Sequence, residues 1–67
     1  MTGRDLIAAA DDGRLTYSDG WFVLDGVLLD GEPGLQAREL VFAGMLLVRS
    51  QQVTATADGR QLLAGAR

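Results

Sequence analysis

Apolar positions along the chain switch between helical and strand spacing. Over residues 3–12, Leu6, Ile7 and Ala10 make a narrow stripe at helical spacing. Thr2-Gly3-Arg4-Asp5 has the spacing of a capping box, with Asp in place of the usual Glu or Gln, and Asp12-Gly13 is a stop. From Arg14 the period shortens to two, with Leu15 and Tyr17 alternating with Arg14 and Thr16. Ser18-Asp19-Gly20 reads as a turn, and Trp21-Phe22-Val23-Leu24 is the strongest β segment of the chain. Asp25-Gly26 follows, then Val27-Leu28-Leu29 and Asp30-Gly31. Two arrangements compete over residues 14–31: a simple hairpin with a short third piece, which we favour, or a three-strand meander using both Asp-Gly turns.

Leu35 to Leu63 reads as helix, hairpin and closing helix. Ala37, Leu40, Val41 and Gly44 fall at i, i+3, i+4 and i+7, with Pro33 near the start and Gly44 as a stop. Met45 to Val48 is an apolar run too short for another helix and is expected to be a buried strand. Ser50-Gln51-Gln52 would be the hairpin tip, and Val53 and Ala55 would alternate with Thr54 and Thr56 on the returning strand. Thr56 or Asp58 can cap a last helix through Leu62 and Leu63. The expected fold is one α+β domain ordered helix, β-hairpin, helix, β-hairpin, helix.

Glu39-Leu40-Val41-Phe42-Ala43-Gly44-Met45-Leu46, followed by Val53-Thr54-Ala55-Thr56-Ala57-Asp58-Gly59-Arg60-Gln61-Leu62-Leu63, resembles the last part of a winged-helix domain. There a helix ends in Ala-Gly-Leu, two strands form the wing, and a Thr-x-x-Gly-Arg-x-Leu-Leu segment starts the closing helix. The likeness covers the C-terminal half only. The chain is also similar to small phage proteins of high-GC bacteria, many without an assigned function. The resemblance implies that Leu35 to Ala43 takes the recognition-helix place and Ser50-Gln51-Gln52 the wing tip. Residues Trp21 to Gly31, β-rich here, stand where the family has another helix.

Sixty-seven residues make a single small domain, which buries only about 60% of the surface its unfolded chain exposes. Apolar residues make up 48% of the sequence, so some apolar surface is expected to need covering, and self-association is one way to cover it. The chain has no cysteine, histidine or lysine. Thiolates, imidazole ligands and the commonest general base are therefore absent, and no metal or cofactor is expected. Ser18 and Ser50 have only carboxylates to activate them. The carboxylates that could pair, Asp11 with Asp12, or Asp25 with Asp30 and Glu32, stand at turns and helix ends where local backbone hydrogen bonds explain them. We expect no enzyme. No apolar run is long enough to span a bilayer and no signal peptide is visible, so the expected location is cytoplasmic.

Charge is uneven. Residues 1–33 carry two arginines against seven carboxylates, a balance of −5, and residues 34–67 carry four arginines against two, a balance of +2. DNA contact would fall to Arg38, Arg49 and Arg60, with Gln51 and Gln52 at the wing tip, but tight binders neutralise about 6–10 phosphates, so net charge disfavours nucleic acid. Leu35, Phe42, Met45 and Leu46 form a second apolar face beside Arg38; the N-terminal hairpin covers it, or it is displayed. Trp21 is either a central core residue or an anchor on a hairpin rim. The leading expectation is a non-catalytic binding module that acts through protein contact or as a homodimer, with Leu35, Arg38, Phe42, Met45 and Trp21 as contact residues. A DNA-binding regulator comes second and a structural homo-oligomer third.

Overall fold

The computed structural model describes residues 2–65. It contains helix α1 (Gly3–Asp11), strands β1 (Leu15–Ser18), β2 (Trp21–Leu24) and β3 (Val27–Leu29), helix α2 (Glu32–Phe42), strands β4 (Leu46–Arg49) and β5 (Gln52–Ala55), and helix α3 (Ala57–Ala64). The α+β order expected from the periodicity is the order observed.

Local chemistry sets the boundaries. The capping box at the start of α1 is formed in both directions: the Asp5 amide donates to the Thr2 hydroxyl at 3.2 Å, and the Thr2 amide donates to the Asp5 carboxylate at 3.1 Å. α2 starts three residues earlier than its apolar stripe suggests, because Gly31 and Pro33 supply the entry and first turn. It ends in a Schellman motif: Gly44 takes a φ of 82°, its amide reaches the Val41 carbonyl and the Met45 amide reaches Leu40. Thr56 caps α3 by accepting from the Gly59 amide at 3.1 Å.

All five strands join one antiparallel sheet in the order β3-β2-β1-β5-β4. Residues 14–31 form the three-strand meander, not the simple hairpin favoured from sequence. The cause is a repeated device. Asp19-Gly20 and Asp25-Gly26 are both two-residue turns with positive φ at both positions, the geometry that matches strand twist. The second hairpin tip is likewise tighter than expected, since Gln52 belongs to β5 and pairs with Arg49. β1 meets β5 through Thr16 and Gln52, which unites the two halves of the chain.

Register sorts the strand residues onto two faces. Leu15, Phe22, Leu29, Leu46, Val53 and Ala55 share one face and are buried with Leu6, Ile7, Ala9 and Ala10 of α1 and Ala37 of α2. Leu40, Val41, Met45 and Leu63 pack against this cluster. Opposite-face residues, including Thr16, Val23, Leu28, Leu47 and Thr54, are half-buried or exposed. Among the described residues no helix is long and apolar enough to cross a membrane.

Candidate functional site

The residues singled out from sequence separate in three dimensions. Leu46 is fully enclosed in the core, so the second apolar face expected on Leu35, Phe42, Met45 and Leu46 does not exist as a unit. Phe42 is 82% exposed and Leu35 60% exposed. The N-terminal strands do not cover them. Trp21 is half-exposed rather than central to the core, with Phe22 beside it buried instead.

Leu35, Arg38 and Phe42 stand at i, i+3 and i+7 on α2 and form one stripe along the helix. Between that stripe and the sheet run two concavities. One, of about 280 Å³, is lined at the start of α2 by Trp21, Phe22, Leu29, Leu35 and Arg38, among others. The second, of about 250 Å³, is lined toward its end by Tyr17, Phe22, Arg38, Val41, Phe42 and Val48. Phe22 and Arg38 belong to both, so the two read as one groove with a shared middle. The chain has one Trp, one Tyr and two Phe, and all four line this groove.

Its floor is built by strand register. Tyr17 pairs with Phe22 across β1 and β2, and their rings meet edge to face with centroids 4.9 Å apart. Among the described residues, Arg38 is the only charged one lining either concavity, and it makes no ion pair or hydrogen bond with the others. The Tyr17 hydroxyl is likewise without a partner among the described residues. Among the described residues, this apolar, aromatic channel thus carries one exposed cation and one hydroxyl without a protein partner, and no carboxylate.

Sequence reasoning singled out Trp21, Leu35, Arg38 and Phe42 but missed Tyr17 and Phe22. The two-residue Asp19-Gly20 turn was the available signal, because it fixes Ser18 opposite Trp21 and hence Tyr17 opposite Phe22. Met45 lies elsewhere, lining a shallow hollow of about 490 Å³ with Arg4, Asp58 and Leu62.

The remaining charges are engaged locally or dispersed. Arg14 reaches Asp25 at 2.9 Å and Asp12 at 3.5 Å, and Arg60 stands 4.0 Å from Asp11. Arg49 and Gln52 face one another at the exposed β4–β5 tip with Gln51, away from the linings that contain Arg38. Arg67, part of the charge balance, lies outside the described residues. The Asp5 carboxyl is held below its ordinary value, by the hydrogen bond from the Thr2 amide and then by the Thr2 side chain. The chain matches no family model, no curated protein and no solved structure.

Proposed function

We propose that this chain is a small non-catalytic binding module that works through protein contact, with the groove beside α2 as its binding surface. The observation that carries this reading is the convergence of Tyr17, Phe22 and Phe42 on one groove, with Trp21 at its edge and Leu35 and Phe42 left largely in water at its rim. Burying a Leu or Phe side chain is worth about 1.5–3 kcal/mol, so a domain this small forgoes much by displaying both. Trp, Tyr and Arg together on a concave apolar patch have the composition of an interface anchor.

The DNA-binding reading would place α2 against the duplex and the Ser50-Gln51 turn beside it. Its support is thinner, because the exposed side of α2 mixes Leu35, Glu39 and Phe42 with the single Arg38. No shift of duplex DNA at ~50 mM salt, where phosphate contacts are strongest, would remove it.

The direct test compares capture of partners from the source cells by the wild type and by Phe42→Asp. Phe42 is so exposed that the substitution is expected to leave stability within about 0.5 kcal/mol. A partner held by the wild type and lost by a folded Phe42→Asp supports the groove. If the folded variant keeps every partner and the same oligomeric state in light scattering, the reading is wrong.

A further inference from the structure

Resting on that reading, we infer that the groove accepts an extended segment of a partner protein in which an acidic side chain is flanked, two positions to either side, by large apolar ones. Charge complementarity selects the acid. Among the described residues Arg38 is the sole charge lining the groove and has no ion-pair partner, and the Tyr17 hydroxyl lining the same concavity can also donate. A carboxylate would pair with Arg38 and can also accept from the Tyr17 hydroxyl, whereas a basic segment would meet like charge at Arg38.

Geometry selects the spacing. Leu35 and Phe42 are seven residues apart on α2, roughly 10 Å along the helix axis, with Arg38 between them. Alternate residues of an extended chain face one way at about 6.6 Å intervals, so three of them span about 13 Å, enough to overreach the Leu35–Phe42 stripe slightly at both ends, with apolar groups toward the two concavities and the acidic one toward the arginine. Each concavity, about 280 and 250 Å³, has room for one large side chain. A second copy of this chain is the weaker occupant: it would have to bring its own carboxylate to Arg38, against a net charge of −3 on each copy.

The test uses the peptide acetyl-Leu-Ser-Glu-Ser-Phe-amide and its analogues with Gln or Lys in place of Glu. End-capping leaves the central side chain as the only carboxylate. Binding is followed by emission of Trp21, the only tryptophan, and by amide chemical shifts along α2. The Glu peptide is expected to shift Trp21 and residues 35–42, with the Gln peptide roughly tenfold weaker and the Lys peptide weaker still. Arg38→Glu, a surface change confirmed as folded by its melting curve, is expected to reverse the order so that the Lys peptide binds best. Equal binding of Glu and Gln peptides would overturn the acidic specificity while leaving the groove in place. Shifts confined to another surface, or no shift at millimolar peptide, would also overturn it. So would a concentration-dependent dimer that Phe42→Asp converts to monomer, which would put a second copy in the groove. Because loss of a partner on Phe42→Asp is read separately, failure of the acidic motif and failure of the groove are distinguishable.

Discussion

The hydroxyl of Thr56 donates to the carbonyl of Gly44 across twelve residues of sequence, while the same oxygen accepts the Gly59 amide. The Thr56 amide adds a bond of 3.0 Å to the Met45 carbonyl. One residue thus ends β5, caps α3 and fastens both to the turn that follows α2. Thr56→Ala removes the cap and leaves the Gly44 carbonyl without its side-chain donor, so a loss of about 1–2 kcal/mol is expected. In a domain of this size each kcal/mol lowers the melting temperature by about 4–8 °C. Thr56→Ser keeps the hydroxyl and is expected to retain most of the stability. Urea denaturation of the two variants checks this, and equal losses would show that the hydroxyl is not responsible.

Two glycines mark where helix backbone lies directly against other backbone, that of β3 and that of the residue just before β4. A methyl group at Gly59 would run into the carbonyl of Met45, and one at Gly34 would run into that of Leu29. Neither obstacle is a side chain that can swing aside. Gly59→Ala and Gly34→Ala are therefore expected to cost about 1–3 kcal/mol or more, despite the better helix propensity of alanine. Gly3→Ala, whose added carbon would sit at an ordinary 3.6 Å from its nearest neighbours, is expected to be tolerated. Melting curves of the three variants should order them this way. Gly34→Ala bears on the groove too, since Gly34 lines its first concavity.

Much of this arrangement was legible in the residues because local chemistry decides it. Thr2 and Asp5, Pro33, Gly44 and Thr56 announce helix ends, and alternation across Val53 and Ala55 gives the buried face of β5. What stayed closed depended on partners distant in sequence. Nothing local states that Thr16 will meet Gln52, so neither the joining of the two hairpins into one sheet nor its strand order could be read. The meander was undecided because Asp25-Gly26 suits a hairpin turn whether or not the short Val27–Leu29 segment finds a partner. The site was half legible for a related reason. Leu35, Arg38 and Phe42 follow from helical spacing alone, but their opposite wall exists only once register places Tyr17 against Phe22. Leu46 illustrates the converse, an apolar residue near Phe42 in sequence that the sheet turns into the core.

The capping box gives α1 a pH dependence whose sign follows from its geometry. Asp5 accepts the Thr2 amide as a carboxylate, and this bond, followed by the Thr2 side chain, holds its pKa below the ordinary 3.8. A depressed folded-state pKa means that the ionised form favours folding. That contribution is complete above the unfolded value and is lost as pH falls through the folded one. The wild type should therefore lose stability relative to Asp5→Asn when the two are compared at pH ~5 and again at pH ~2. Asparagine presents the same shape without a titrating proton, so the difference isolates the carboxylate. Urea midpoints of both proteins across that range provide the measurement. A constant gap between them would mean that Asp5 titrates alike in folded and unfolded chains, and that the bond to Thr2 does not hold the helix start in solution.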